Sequence, residues 1–558
     1  MKKQLVGVLL VASSCATQEA AKRPEPTQDP APSAVARFVA DLTRPLPPGL
    51  DGAAMDLSAD PCGDFYQYAC GGWMAANEIP DDRALYSRGF VTITERNELA
   101  LKGILEEAAA GKLPEGTLFA TQLGDSYASC VDEPALEKAL ADVKKFVATS
   151  AVARTPAELA KSVGALHAAG YRPFFRVGAQ QDLKDSALVI AGFDQSGLGL
   201  PDRDYYTDES ARMKGVREAY LAYVEKIFAL YGEKPEAAKQ AAAEVMALET
   251  RLAKASLTMV ERRDPHKLYN RLDLKGLEAQ AGHFPWKAYL AALGRKDLAQ
   301  INVSSVPFFV ELSALVKDTP PRVLSTYLTW VVLRGSIPAM PRAFQDEQFS
   351  YVSKNFTGAK GDRPRWKKCV AFVDGELGEA LGREFTRRFF PEESKARTNA
   401  MVRSLQASFE ANLESLAWMD AATRENALTK VRSMVSNNKI GYPDVWRDYS
   451  GIKTDRKSFF NTSLATSRFE TARELAKVGK PVDRTEWLMS PPTVNAYFDP
   501  QKNEIVFPAG ILQPPFFDKD TRSPTASTTR VASSTPTATS RTGGRRPAPG
   551  TSRSARPA

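Results

Sequence analysis

Met401-Val402-Arg403-Ser404-Leu405-Gln406-Ala407-Ser408-Phe409-Glu410-Ala411-Asn412-Leu413-Glu414-Ser415-Leu416 sets the architecture of this chain. Its apolar side chains, Met401, Val402, Leu405, Phe409, Leu413 and Leu416, recur at steps of three and four, with Arg, Gln, Glu and Asn between them. A half-buried strand alternates every second residue, so this spacing predicts a helix with one apolar face. The same period dominates from about residue 88 to 480. Pro235 to Ser256 repeats it in an Ala-, Glu- and Lys-rich stretch. Ala135 to Val147 reads as another helix, with Asp132 and Pro134 supplying a cap acceptor and a fixed φ at its start. The Met, Leu and aromatic stripes read as core, not as a cofactor box. No fixed-period repeat is present, and the fold class is mainly α.

The pattern changes near residue 490. Val494-Asn495-Ala496-Tyr497-Phe498 and Glu504-Ile505-Val506-Phe507 are β-prone runs, and Asp499 to Asn503 between them has turn chemistry. A hairpin is predicted. Ile511 to Phe517 is apolar but too rich in Pro to be helical.

The 558 residues suffice for more than one domain, and 43% hydrophobic with 25% charged residues is ordinary globular composition. The net charge of +8 is misleading, because residues 519–558 carry seven Arg and one Lys against one Asp. The remainder is close to neutral, so no global basic field steers it to nucleic acid or anionic lipid. Three histidines, His167, His266 and His283, limit histidine-based metal chemistry.

Lys2 and Lys3 precede a short apolar run, Leu5 to Ala12, and then Ser13-Ser14-Cys15. Residues 1–15 read as a signal peptide, too short to span a membrane. Cys15 after small residues resembles a bacterial lipoprotein processing site, at which it would be lipidated. Ordinary cleavage that discards Cys15 is the alternative. Residues 16–50, rich in Pro and Ala, read as a tether. Cys62, Cys70, Cys130 and Cys369 would then lie where disulfides form.

Several stretches together resemble the neprilysin and endothelin-converting-enzyme family of zinc metalloendopeptidases. They are Asp60-Pro61-Cys62-Gly63-Asp64-Phe65-Tyr66-Gln67-Tyr68-Ala69-Cys70-Gly71-Gly72-Trp73, then Ser129-Cys130, Arg262-Arg263-Asp264-Pro265 with Tyr269-Asn270, and Arg365-Trp366-Lys367-Lys368-Cys369. Asn495-Ala496-Tyr497-Phe498 and Ile505 through Pro508-Ala509-Gly510 to Phe517 complete the set. The resemblance covers about residues 56–517. It implies a two-lobed fold, with a large helical lobe over 56–480 and an incomplete α/β catalytic lobe beginning at 481–517. It also implies peptide substrates held through the Asn495 side chain and the Ala496 backbone, by addition to a sheet edge. By the same resemblance Cys130 pairs with Cys369.

The family's catalysis needs H-E-x-x-H on a helix, two His one turn apart on zinc with a Glu between them. The sequence contains no such motif and no His after His283. No metal ligand and no catalytic residue is therefore assigned, and zinc, the cofactor of the intact family, is not expected in this chain. The family partners of Cys62 and Cys70 would lie in the catalytic part, but no Cys follows Cys369. These two stay free, pair with each other or cross-link to another chain; the reading adopted is that both are unpaired.

Residues 518–558 contain almost no large apolar side chain beyond Val531, and they read as disordered. A mucin-like stalk and a basic nucleic-acid arm are alternatives; the absence of aromatics for base stacking counts against the arm. Read one frame over, the codons of Asp520 to Thr525 permit H-E-V-T-H. The same frame continues through Gly544 as G-F-D-D-Q-G-R-Q-L-D-P-D-G-N-L-T-D-W-W, which resembles the family's text after its zinc helix. One deletion, not a multiple of three bases, accounts for the shift. The sequence thus reads as an exported, lipid-anchored or periplasmic neprilysin-like metallopeptidase, truncated, out of frame before its zinc site and inactive. A non-catalytic peptide-binding pseudo-enzyme of the cell envelope is the alternative. Partners are peptides and a membrane, with no nucleic acid.

Overall fold

The computed structural model describes residues 52–435 and 439–518. The signal segment, the lipidation candidate Cys15, the tether and the tail from 519 onward lie outside the described residues.

Local chemistry sets where the first helices begin. Asp64 caps α1 (Phe65–Ala76) by accepting from the Gln67 amide at 2.9 Å. Helices α2 (Phe90–Ala109) and α3 (Ala120–Val131) follow. The helix expected over 135–147 is two pieces, Glu133–Leu136 and α4 (Leu140–Ser150). Between them the backbone tightens to i→i−3 bonds, Lys138 to Ala135 and Ala139 to Leu136. That turn lets Leu136 and Val143 both enter the core. Thr155 caps α5 (Pro156–Ala168), with Pro156 in its first turn.

Two antiparallel strands, β1 (Phe175–Gln181) and β2 (Val189–Gln195), then begin a sheet. The helices α6 (Ala211–Tyr231) and α7 (Pro235–Ala255) come next, α7 within one residue of its expected end. Strand β3 (Arg271–Asp273), helix α8 (Trp286–Leu293) and strand β4 (Gln300–Val303) follow. The sheet order is β1-β2-β4-β3, with β2 and β4 parallel. Asp194 on β2 ties it together, accepting from Arg176, Arg262 and Ser304 at 2.6–2.9 Å. Arg262, the second residue of the 261–263 turn, is thus structural.

Helices α9 (Val306–Asp318), α10 (Pro321–Ser336) and α11 (Arg342–Val352) lead to the long α12 (Arg365–Phe389). Cys130 on α3 and Cys369 on α12 are bonded, with Cα atoms 5.6 Å apart. Beside that bond, Arg365 donates to the carbonyls of Cys130 and Pro338. Cys70 corrects an expectation. It carries a disulfide, whereas Cys62 is free and exposed. Cys70 faces inward on α1, and Cys62 sits in the loop before the helix.

The helix that opened the analysis is α13 (Glu392–Ser415), paired with α14 (Ala421–Val435). Its apolar stripe divides, contrary to a uniform core role. Val402 and Leu413 are buried, while Met401, Leu405 and Phe409 are 46%, 63% and 49% exposed. Leu413, Met419, Leu428 and Val431 form a small core of their own.

Strand β5 (Lys439–Gly441) and α15 (Phe459–Leu475, capped by Ser458) precede the hairpin of β6 (Tyr497–Asp499) and β7 (Glu504–Pro508). The second sheet runs β5-β7-β6. One continuous core extends from Leu101 on α2 to Leu512 beyond β7. No helix among the described residues is long and apolar enough to cross a membrane.

Candidate substrate-binding hairpin

The turn at residues 499–503 is built from the chemistry its sequence announces. Asp499 accepts from the amides of Gln501 and Lys502, and Asn503 takes a left-handed φ of 51°. The register pairs Tyr497 with Val506 and Asp499 with Glu504. The first strand is shorter than its β-prone run. It starts at Tyr497, so Asn495 and Ala496 lead into β6 rather than lying within it. The Asn495 side chain accepts from the Ala496 amide at 2.9 Å, and Asn495 is exposed. Among the described residues no further strand pairs with the outer edge of β6.

What holds the hairpin is invisible to local pattern. Lys439 on β5 pairs with Glu504 on β7 at 2.8 Å and donates to the Glu486 carbonyl. Burial draws the Lys439 ammonium below its ordinary range, and Glu504 opposes this. Tyr497 accepts from the Leu488 amide, and burial pushes its phenol up to about 12. Ser490 donates to Asp374 on α12 at 2.8 Å, and burial pushes that carboxyl up to about 6. Pro491 lies against Gly382 of α12, where a Cβ would stand 2.7 Å from the proline ring. A larger residue at 382 would push the strand's lead-in off the helix.

The apolar segment after β7, Ile511–Phe517, does not hang free of the protein. It seats on the helical body. Asn97 of α2 donates to the carbonyls of Pro492 and Gly510, at 3.3 and 3.0 Å. Arg96 donates to Pro514, Gln513 to Phe389, and Phe90 meets Phe516 edge-on at 5.2 Å. No sequence signal links these residues, which are between 124 and 418 positions apart in the hydrogen bonds.

The histidines do not form a metal site. His167 is buried at the end of α5, with Nδ1 2.8 Å from the Tyr289 hydroxyl and Nε2 3.2 Å from the Pro173 carbonyl. Both ring nitrogens are therefore used, and burial pushes the imidazole down to about 4. His266 and His283 are exposed on separate loops. Among the described residues no group of three or more His, Cys, Asp or Glu is placed to hold a metal ion. The described residues do not fit a catalytic zinc.

Family models described as peptidase family M13 match residues 61–443 and 495–527. The chain belongs to peptidase family M13. It is 32% identical over 495 residues to an endothelin-converting enzyme homolog of Locusta migratoria, covering 83% of this chain and 67% of that protein. Endothelin-converting enzyme 1 of Mus musculus is 31% identical over 488 residues, covering 84% of this chain and 62% of its own. The chain thus spans about two thirds of the length of these relatives. The zinc metalloprotease Zmp1 of Mycobacterium tuberculosis, solved with an inhibitor, superposes with a TM-score of 0.78 at 35% identity, covering 85% of this chain and 71% of that one. PepO of Lactobacillus rhamnosis shares the fold, with a TM-score of 0.70 at 21% identity. Both M13 matches contain the stretches that carried the neprilysin resemblance, and the mainly helical fold agrees with these neighbours.

Proposed function

We propose that this polypeptide is an M13 peptidase chain that holds peptides at its hairpin but does not hydrolyse them. M13 is a family of zinc-dependent peptidases. The observation that carries the reading is the histidine inventory. Three His stand on separate elements, one with both nitrogens engaged, and none follows residue 283. Holding a peptide bond does not generate the nucleophile that a metal makes from water. On this reading no zinc is bound, and the frame change near residues 517–522 is the origin of the loss. Export and a lipid anchor at Cys15 belong to the same proposal.

A pseudo-enzyme role is favoured by one feature, the β6 edge, unpaired among the described residues, beside the exposed Asn495. An extended peptide could add there through main-chain hydrogen bonds, with Asn495 and Ala496 holding its backbone.

The test expresses this chain beside a version with the shifted frame and missing segment restored. Both are assayed on a short peptide with a hydrophobic residue after the scissile bond, with and without a chelator. Chelator-sensitive cleavage by the restored version alone is expected. Such cleavage by the unrestored chain overturns the reading. Retention of the intact peptide, weakened by Asn495→Ala, supports the binding role.

A further inference from the structure

Asn495 and Ala496 end a lead-in, residues 488–496, that has no strand or helix of its own. What seats it is a track on α12, where Asp374, Gly378 and Gly382 recur every four residues. A Cβ at 378 would stand 2.6 Å from the Ser490 Cβ and 3.5 Å from Asp374 Oδ1, and one at 382 would stand 2.7 Å from the Pro491 ring. Ser490 and Pro491 therefore lie directly on the helix, beside the Asp374 carboxyl.

The track ends in a hydrogen-bonded turn. Ser490 donates to Asp374 at 2.8 Å, and the Ser490 and Thr493 hydroxyls lie 2.9 Å apart. The Thr493 amide donates to the Ser490 carbonyl at 3.1 Å, and the Gly510 amide to the Pro491 carbonyl at 2.8 Å. Thr493 is two residues before Asn495, so the seat of this turn sets where the Asn495 side chain stands.

Asp374 is half-buried. As a neutral acid it can give and accept a hydrogen bond at Ser490, whereas a carboxylate only accepts. Burial disfavours the ionised form more than the Ser490 hydroxyl supports it, which holds the carboxyl at about 6, above the ordinary 3.8. Charged groups on the elements packed around it are paired elsewhere. Glu98 of α2 meets Arg363, Asp125 of α3 meets Arg456, and Glu486 of the incoming chain meets Arg473. Glu470 of α15 and Glu379 of α12 itself both meet Arg447.

We propose that Asp374 is a positioning residue for the hairpin: its neutral carboxyl seats Ser490 on the glycine track and presents Asn495 to a peptide, and its ionisation releases the lead-in. This role rests on the peptide-holding reading of the hairpin and adds control by pH. The seated form keeps its proton up to about 6, whereas a released, solvated carboxyl has the ordinary 3.8. Seating is therefore favoured as pH falls through 6, by about tenfold between pH 7 and 5, and the gain levels off below 3.8.

The experiment titrates the full chain with N-acetyl-alanyl-phenylalanyl-alanine amide, a peptide without titratable groups, at pH 5, 6 and 7. Affinity is expected to rise about tenfold from pH 7 to 5. Asp374→Asn, which stays neutral, should keep the acid-form affinity at all three. Amide exchange, corrected for intrinsic rates, is followed beside it. Protection of the Thr493 and Gly510 amides should rise about tenfold from pH 7 to 5 in the parent and stay level in Asp374→Asn. Equal affinity of the parent at pH 5 and 7 overturns the role of Asp374 and leaves the peptide-holding reading standing. So does an Asp374→Asn profile that tracks the parent. A parent that binds no peptide at any pH overturns the peptide-holding reading and this role with it, whatever the exchange shows. If Asp374→Asn fails to fold, affinity and protection of the parent decide, and a flat profile in either overturns the proposal.

Discussion

His167 shows how one side chain can resemble a functional residue and be a structural one. Its neutral ring accepts from Tyr289 and donates to Pro173, so folding excludes the protonated form. The folded pKa, about 4, lies below the ordinary 6.5. Between these values the unfolded chain binds more protons, so stability falls as pH drops from 6.5 to about 4 and is flat in this term below. The span corresponds to about 3 kcal/mol. Denaturation across that window should show the fall in the native chain and a flatter profile in His167→Gln; identical slopes would show that the ring titrates freely. Asn97 is the second decisive residue. Asn97→Ala strands the carbonyls of Pro492 and Gly510 and should cost about 1–3 kcal/mol in urea denaturation. A change near zero would mean that the segment after β7 is not held there.

At the scale of the element, α13 tests what helical periodicity means. Spacing fixes which residues share a face, not what covers that face. Val402 and Leu413 point into protein, whereas Met401, Leu405 and Phe409 point outward. Leu405→Gln and Phe409→Gln are therefore expected to change stability by less than about 0.5 kcal/mol each. Leu413→Ala, in the small core with Met419, Leu428 and Val431, should cost about 2–3 kcal/mol. Thermal unfolding of the three variants checks this, and a large loss at Leu405 would mean that its face is covered in solution.

Across the whole molecule, the disulfide joins residues 239 positions apart and so closes most of the helical body into one loop. Replacing Cys130 and Cys369 together by Ala should lower stability by about 2–5 kcal/mol, chiefly by freeing the unfolded chain. The measurement is the denaturation midpoint of the double variant beside that of the parent. Equal midpoints would show that the bond adds nothing. The continuous core predicts a further property of that experiment: residues 497–512 should lose protection from hydrogen exchange together with α2, because Asn97 bonds the Gly510 carbonyl and Leu512 joins the same core.

The sequence by itself determined the helical class, the hairpin and its turn, and the absence of H-E-x-x-H. Each rests on residues adjacent in the chain, where period, cap and turn chemistry act locally. It also carried the family, because stretches such as Asp60 to Trp73 are long enough to be specific. Tertiary structure decided the rest. Strands β3 and β4 are three and four residues long, too short to show a period, and Asn302 bonding Asn270 and Ser304 bonding Asp194 hold them in the sheet. Strand β5 is equally short and is fixed by Lys439 reaching Glu504. The split of the α13 stripe and the seat of Ile511–Phe517 both depend on residues far apart in sequence. Burial and pairing across such distances follow from packing, and no local pattern encodes them.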